Sequence, residues 1–283
     1  KMLVYSVALY KQLSVDGKPG YSEVGSLRLA SSKERLEELK RQVGFSRSVG
    51  LEAELLSASE AQRMFPMMSL DGVEGALYLP TDGSARAPIL AEAMANVAQQ
   101  RGAAFYPHTR VTGIELKNGR VQAVQTSQGR IATEILVVAA GIWSPRIGRM
   151  VGISIPLIPM QHQYAMTAPL PELAGNASVP NLRDPDKLVY FRQDGQCLVL
   201  GGYERDPLAF DVDAISDTSN PTVRDFDAPR FASLLQGCIE RVPSLHDAEL
   251  VKQVNGLESF TPDGEFILGE SPAVGGFWVA SGF

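Results

Sequence analysis

Cysteine, histidine and long apolar segments are all scarce in this sequence, and each scarcity narrows what the protein can be. The two cysteines, Cys197 and Cys238, lack the spacing of metal ligands and are expected to pack as small hydrophobic residues. The three histidines also lack metal-ligand spacing, so the sequence predicts no metal site. No apolar segment approaches the roughly 18 residues of a membrane-spanning helix, and no signal peptide is recognisable.

Basic residues are fewer than acidic ones, 26 against 32, so the net charge is −6. This balance argues against nucleic acid as a partner. The chain has 283 residues, of which 45% are hydrophobic and 20% charged, as is typical of soluble globular proteins with one large or two smaller domains. We expect a reducing internal compartment, either the cytoplasm or, in a eukaryote, the mitochondrial matrix.

Two common catalytic or binding motifs are missing. There is no Gly-x-Ser-x-Gly to support serine hydrolase chemistry, and no Gly-x-Gly-x-x-Gly follows an opening strand. A glycosidase with paired carboxylates stays open, although no spacing points to one.

The chain starts with the helical pattern "KMLVYSVALYKQL" and stops within the strand-turn pattern "GFWVASGF". We therefore expect a piece of a longer protein, cut at both ends.

Hydrophobic periodicity predicts helices in the first half and mostly strands in the second. Ser57 and Glu60 form a capping box that starts one helix, and Pro88 suits the first turn of another. Asn118-Gly119 predicts a two-residue hairpin turn. The fold class is therefore α/β plus antiparallel β. The predicted helices are 1–13, 33–43, 57–64, 88–102 and 229–242. The predicted strand segments include 24–30, 51–56, those around Phe105, Val111 and Ile114, 121–126, 135–140, 162–167, 187–193 and 197–203. Residues 204–229 are predicted to be an acidic loop.

The segment "ILVVAAGIWSP", Ile135–Pro145, combines an apolar run with a turn of very small residues. The run predicts a buried strand. Ala139, Ala140 and Gly141 would let a phosphate or an adenine approach the main chain. The alternative is a tight strand exit that packs against a helix.

Three polar residues in predicted strands are candidates for a site. His162 alternates with Gln161 and Gln163, and by itself is interpreted as a surface or satisfied core residue. Tyr190 and Arg192 share a strand face, with Phe191 opposite, and together could hold a small carboxylate. The alternative is a half-buried strand with a solvated arginine. The Pro-Asp-Gly turn within 259–270 predicts a hairpin.

Nine segments, in order and spanning nearly the whole chain, resemble the FAD-dependent family that includes D-amino acid oxidase, glycine oxidase and sarcosine oxidase. The likeness is closest to its dimethylglycine and sarcosine dehydrogenase or oxidase branch. The segments are "GSLRLA", "LLSASEAQRMFP", "GALYLPTDGSARAPILAEAMANVAQQRGA", "HTRVTGI", "VVAAGIWSP", "PMQHQYAMT", "VPNLRDPDKLVYFRQDG", "NGLESFTPDGEFILGE" and "GGFWVASGF".

The resemblance implies FAD as cofactor and assigns residues to its site. Val111 corresponds to the segment that covers the adenine, and Gly282 to the start of backbone that follows the flavin ring. The turn that contacts the cofactor contains Ala139, Ala140, Gly141 and Trp143. The Gly-rich turn of the family's N-terminal βαβ unit and the histidine that attaches flavin covalently in close relatives have no counterpart here. We therefore expect this chain alone to bind FAD weakly or not at all.

The resemblance also implies the reaction and assigns His162 and Tyr190 to the substrate. A substrate N-methyl group loses hydride to flavin, and the resulting iminium is hydrolysed or passes its carbon to folate, which related proteins bind through a C-terminal region absent here. His162 would take the proton of the substrate ammonium, and the Tyr190 hydroxyl would orient the carboxylate. The alternatives are an oxidase of a primary or cyclic amino acid, and a non-catalytic folded substrate domain without FAD.

The predicted domain plan has four parts. Residues 1–80 flank the substrate domain, 81–150 form a partial FAD-binding domain that lacks its N-terminal βαβ unit, 151–255 form a mixed β-sheet substrate domain with helices, and 256–283 return to the FAD-binding domain.

Overall fold

A computed structural model describes residues 2–175, 178–215 and 223–283. Contacts divide the chain into two compact units, each assembled from three separate stretches of sequence. The first unit consists of Lys1–Ala104, Gln163–Glu204 and Phe226–Val254, and the second of Phe105–His162, Arg205–Asp225 and Asn255–Phe283.

The described residues form six α-helices, all but one of them in the first unit. None of these helices has both the length and the apolar character needed to cross a membrane. The helices are α1 (Met2–Tyr10), α2 (Lys33–Ser48), α3 (Ala58–Met64), α4 (Ala87–Gln100), α5 (Ser144–Arg149, in the second unit) and α6 (Ala228–Arg241).

Most strands have seven residues or fewer, and the two longest, β12 and β17, have residues in both units. In the first half of the chain they are β1 (Ser14–Val15), β2 (Lys18–Pro19), β3 (Tyr21–Glu23), β4 (Ser26–Ala30), β5 (Glu54–Leu56), β6 (Gly75–Leu79), β7 (Gly83–Ala85), β8 (Val111–Lys117), β9 (Arg120–Thr126), β10 (Gly129–Ala132) and β11 (Leu136–Val138). The later strands are β12 (Ile158–Thr167), β13 (Asn181–Asp184), β14 (Val189–Asp194), β15 (Cys197–Gly202), β16 (Val223–Arg224), β17 (Leu250–Phe260), β18 (Ile267–Glu270) and β19 (Phe277–Ser281).

A large mixed sheet has the strand order β16-β17-β12-β15-β14-β13-β4-β6-β5, and most of its strands belong to the first unit. β13 runs parallel to β4, whereas β14 runs antiparallel to both of its neighbours. Helices α3 and α6 pack on one face of this sheet, where apolar side chains such as Leu27, Phe191 and Phe231 are buried. Because side chains alternate along a strand, the residues between these apolar positions point to the opposite face.

Local signals in the sequence account for where several helices begin. The Ser57 hydroxyl accepts the backbone N–H of Glu60, and the Glu60 carboxylate accepts that of Ser57, which confirms the predicted capping box of α3. At α6, Asp227 accepts the N–H of Arg230, and the buried amide of Gln163 bonds to both backbone groups of Asp227. Cys238 lies in the core on α6, and burial raises the pKa of its thiol to about 12.

A fully buried ion pair joins separate stretches of the first unit. The Arg241 guanidinium lies 2.9 Å from the Asp184 carboxylate, and both side chains have no solvent exposure. Arg241 also donates to the Ser69 carbonyl and to the Ser31 hydroxyl. The other carboxylate oxygen of Asp184 accepts the backbone N–H of Asp186. Each buried charge is therefore matched by an opposite charge and by further hydrogen bonds, as burial requires.

Two small sheets organise the second unit. β8, β9 and β10 form an antiparallel meander, and its first turn has Asn118 and Gly119 at positive φ, which confirms the predicted Asn-Gly hairpin. In the other sheet, β11 runs parallel to β19, and β19 pairs antiparallel with β18. The core behind this sheet contains Val138, Phe277 and Val279. Of the predicted acidic loop 204–229, residues 216–222 lie outside the described part of the chain, and the rest includes a 3₁₀ turn at Val212–Ala214 and the short strand β16.

Three local predictions are wrong, each for a reason that depends on sheet partners. Phe105 lies in no strand and is 50% exposed. The strand predicted from Ile135 is not buried throughout, because Ile135 and Val137 are 64% and 57% exposed and only the other side of the strand packs on the core. The Pro-Asp-Gly turn does not close a hairpin, because β17 and β18 belong to different sheets.

The two units also differ in their boundaries from the predicted domain plan. The structure groups residues 81–104 with the first unit, and residues 151–162, 205–225 and 255 with the second. Which unit holds the cofactor and which the substrate remains a prediction.

Candidate active site

A row of side chains crosses the large sheet of the first unit on the face opposite to α3 and α6. Tyr190 on β14 lies directly opposite Arg183 on β13 and Gly201 on β15. Arg183 in turn lies opposite Arg28 on β4. Directly opposed residues place their side chains on the same side of a sheet. A tyrosine and two arginines, drawn from three strands, are therefore neighbours on this face.

Arg192 extends this row, because it follows Tyr190 by two positions on the same strand and so points the same way. The structure thus bears out the expectation that Tyr190 and Arg192 share a face while Phe191 is buried on the other. These side chains line a cavity of about 330 Å³ together with Arg28, Arg183 and Tyr203. A cavity of this size suits a small organic ligand.

Gly201 leaves room for the Tyr190 side chain. A Cβ atom at position 201 would lie 2.7 Å from the Tyr190 hydroxyl oxygen and 2.9 Å from the Cβ of Tyr164. The Tyr190 ring also contacts the Tyr203 ring at a centroid distance of 6.5 Å, and the Arg183 guanidinium lies 5.8 Å from the centre of the Tyr203 ring. Packing against Gly201 and Tyr203 therefore fixes the position of the Tyr190 side chain beside the cavity.

His162 lies in the second unit, near the middle of β12, with 7% of its surface exposed. Its ring packs against that of Phe260 on β17 at a centroid distance of 5.1 Å. Burial lowers the pKa of His162 below its usual value of 6.5, and the charge of Glu258 acts in the opposite direction. Burial therefore favours the neutral form of the imidazole.

One edge of the parallel pair β11–β19 carries the small residues expected to contact a cofactor. The register pairs Val138 with Val279, so both strands end at this edge, with Gly141 and Gly282 each three residues further on. Gly141 has φ +51°, and a Cβ atom there would meet nothing within 4 Å. Ligands of open α/β sheets bind beyond the carboxyl ends of parallel strands. Ala139, Ala140 and Gly141 therefore fit close approach by a group such as FAD.

Val111, Trp143 and Gly282 are the other residues expected to contact the cofactor. Val111 is the first residue of β8, opposite Thr126, on a different sheet from Gly141. Trp143 is half-buried against a cluster that contains Ile142 and Leu257. Gly282 has φ +79°, and a Cβ atom there would lie 2.9 Å from Thr261, so packing alone explains its glycine. Their contacts with a cofactor stay predictions.

Sequence reasoning missed Arg28 and Arg183 as parts of the cavity. Each stands next to a buried leucine in a strand, Leu27 and Leu182 respectively, which is the alternation expected of any half-solvated strand. Only the pairing of β4 with β13, strands more than 150 residues apart in the chain, brings them together. His162 and Tyr190, assigned together by resemblance, belong to different units.

Comparison with known proteins assigns the fold to a family. The family model described as "FAD dependent oxidoreductase" (DAO) matches residues 1–283. Mitochondrial sarcosine dehydrogenase of Mus musculus is 36% identical over 269 residues, which cover 93% of this chain and 29% of that protein. Mitochondrial dimethylglycine dehydrogenase of Rattus norvegicus is 30% identical over 286 residues, covering 98% of this chain and 33% of the relative. The chain thus spans about a third of the length of these relatives.

A solved structure shows the same architecture. Glycine oxidase from Geobacillus kaustophilus superposes with a TM-score of 0.75 at 29% identity, covering 99% of this chain and 70% of the other. The mixed sheet, the matched length and the sequence likeness agree. This chain belongs to the DAO family of FAD-dependent oxidoreductases.

Proposed function

We propose that the complete natural protein oxidises an N-methyl amino acid of the sarcosine or dimethylglycine type with FAD as its cofactor. The observation that carries the proposal is that Tyr190 lines one cavity together with Arg28, Arg183 and Arg192, whose side chains can donate hydrogen bonds to a carboxylate. Membership of the family and similarity to sarcosine and dimethylglycine dehydrogenases support it. The names of these relatives also favour a mitochondrial matrix location in a eukaryote.

The cofactor and the chain have separate tasks in this proposal. A bound FAD would supply the acceptor for the hydride of the substrate C–H bond, and the residues of this chain would supply position and proton transfer. Ala139, Ala140 and Gly141 would hold the cofactor at the strand ends. The Tyr190 hydroxyl and the neighbouring guanidinium groups would orient the substrate carboxylate. Transfer of the released carbon to folate stays a prediction from resemblance.

His162 is proposed to take the proton of the substrate ammonium. Only a neutral amine has the lone pair that forms the new C=N bond as hydride leaves. A histidine whose pKa lies below its usual value is in its basic form at neutral pH. The reaction rate should therefore fall as the pH falls through the pKa of His162, because the protonated ring cannot accept a second proton. Glu258, whose charge raises that pKa, would shift this limb of the profile upward.

The test is stopped-flow reduction of bound flavin by sarcosine and dimethylglycine from about pH 5 to 10, a range that extends below the ordinary histidine pKa of about 6.5. His162→Ala should slow reduction about 10²- to 10⁴-fold, the usual contribution of a general base, with flavin still bound. The His162→Ala variant should also lose the decrease in reduction rate at acidic pH. Tyr190→Phe should reduce the rate less, and if both act on one substrate the double variant should be less than additive.

His246→Ala serves as the matched control, because that histidine is exposed and pairs with Asp247. A His162→Ala protein that reduces flavin at the parent rate with an unchanged pH profile would remove the assignment. His162 would then be a strand histidine without a chemical role.

The structural match to glycine oxidase favours one alternative, an oxidase of a primary or cyclic amino acid. The same flavin-reduction assay separates the two, because glycine and proline would then reduce the flavin faster than their N-methyl counterparts. A non-catalytic substrate domain would bind such amino acids without reducing flavin at all.

A further inference from the structure

The residues that line the cavity beside Tyr190 have a net positive charge. Its lining contains three arginines, Arg28, Arg183 and Arg192, and one acidic residue, Asp82, which leaves two positive charges in excess. The Asp82 carboxylate already accepts the Ser26 hydroxyl at 2.7 Å and the backbone N–H of Gly83 at 2.9 Å.

The arginines have few anionic partners of their own in the described part of the chain. Arg28 donates to the neutral amide of Gln42 at 2.9 Å, and Arg183 faces the Tyr203 ring. Arg192 lies 3.8 Å from Asp194, an ion pair at the limit of contact distance. Burial and, second, the nearby Arg183 lower the pKa of Arg28, whereas the charges of Glu38 and Asp82 act in the opposite direction.

We propose that this cavity binds both carboxylates of a dicarboxylic N-substituted amino acid. The geometry supports this, because the paired strands β14, β13 and β4 present Tyr190, Arg183 and Arg28 in one row, with Arg192 alongside. A guanidinium binds a carboxylate with two parallel N–H···O bonds, so separate arginines can each take one. The proposal rests on the proposed function, since Tyr190 is assigned there to the substrate, and it adds the substrate class.

Ligand binding to the complete natural protein tests the proposal with a measurement other than activity. Iminodiacetate and sarcosine are the probes, because both are secondary amines with an acetate arm and they differ by one carboxylate. Thermal unfolding and calorimetric titration at fixed ionic strength should show iminodiacetate binding at least tenfold more tightly than sarcosine. Arg183→Gln should weaken iminodiacetate about tenfold or more, as expected for loss of a charge-assisted hydrogen-bond pair.

Arg101→Gln is the matched control, an exposed arginine at the end of α4 in the same unit. Arg192→Gln provides a second test if Arg183→Gln fails to fold, as judged by circular dichroism. Equal affinity for sarcosine and iminodiacetate would overturn the proposal. So would inorganic phosphate binding as tightly as iminodiacetate with the same dependence on Arg183, because the cavity would then accept any anion.

Flavin reduction in the complete natural protein separates failure of this proposal from failure of the proposed function. If sarcosine reduces flavin and iminodiacetate neither binds nor reduces it, the oxidation of N-methyl amino acids stands and the dicarboxylate site is wrong. If iminodiacetate binds in an Arg183-dependent way and no secondary amine reduces flavin, the binding site stands and the proposed oxidation fails.

Discussion

At the scale of single residues, the buried pair of Arg241 and Asp184 is the most constrained feature of the first unit. Arg241 is charged and fully buried, and it bonds to backbone and side chains from three distant stretches of the chain. Nothing in "CIERVP" or "NLRDPDK" marks these two residues as partners. An amphipathic helix such as α6 ordinarily ends in a solvated arginine, so the pair emerges only from the tertiary fold.

Replacing Arg241 with methionine should strongly destabilise the first unit. The change leaves the Asp184 carboxylate buried without its counter-ion, which costs about 3–5 kcal/mol in free energy of unfolding. Urea denaturation of the parent protein and of Arg241→Met measures the difference in free energy of unfolding. Replacing Asp184 with leucine in the same chain should recover part of the loss, because no unpaired charge then remains.

Arg63→Met is the control, since Arg63 is exposed and its pair with Glu60 spans 4.0 Å. It should change the free energy of unfolding by less than about 1 kcal/mol. Equal effects at positions 63 and 241 would show that the buried pair contributes nothing special to stability.

At the scale of elements, local signals predicted five of the six described helices, whereas α5 (Ser144–Arg149) and the sheet membership of the strands were not predicted. The capping box of Ser57 and Glu60 and the apolar spacing of α6 depend only on neighbouring residues, and the structure reproduces both. The exposed side of β11 and the separation of β17 from β18 depend on which strands pair, and those partners lie far away in the sequence. The alternation of Tyr190, Phe191 and Arg192 was predictable because it is a property of one strand.

The element β15 depends on Gly201 to accommodate its neighbour β14. Gly201→Ala places a Cβ atom within 3 Å of the Tyr190 hydroxyl and of Tyr164. The tyrosine must move, and the sheet should lose about 1–3 kcal/mol from overpacking. We expect weaker ligand binding in the cavity, measured by calorimetric titration with iminodiacetate, alongside the stability loss measured by urea denaturation.

Gly44→Ala is the matched control on α2, where a Cβ atom would meet nothing within 4 Å. Alanine in an exposed helix position should raise stability by about 0.5–1 kcal/mol and leave ligand binding unchanged. If Gly201→Ala behaves like Gly44→Ala, the close packing around Tyr190 does not control the cavity.

At the scale of the whole molecule, the chain passes between the two units several times, and this interleaving limits what a sequence can predict. Contiguous domain boundaries cannot describe units that each draw on three stretches. The candidate cavity shows the same limit, because Arg28 and Arg183 meet through pairing of distant strands. Resemblance supplied the family, FAD and the assignments of His162 and Tyr190, whereas the cluster of arginines required the structure.

In the complete natural protein, cofactor binding and stability are expected to be linked at Gly141. A ligand that binds only the folded state stabilises it by mass action, so FAD content and the FAD-dependent rise in Tm report the same site. Gly141→Val should lower both, because its side chain would fill the open space at the ends of β11 and β19. The variant also loses about 1–2 kcal/mol of stability from a branched residue at positive φ, and this part must be separated from the cofactor effect.

Gly152→Val is the control that separates the effect of backbone strain from the effect on cofactor binding. Gly152 lies in the same unit just after α5 and has φ +73°, and a Cβ atom there would likewise meet nothing within 4 Å. This variant should lose a similar amount of stability without FAD, yet keep its flavin content and its full rise in Tm on adding FAD. Absorbance at the flavin band and thermal unfolding with and without FAD give both quantities. Equal loss of flavin in the two variants would mean that backbone strain, and not contact at Gly141, controls cofactor binding.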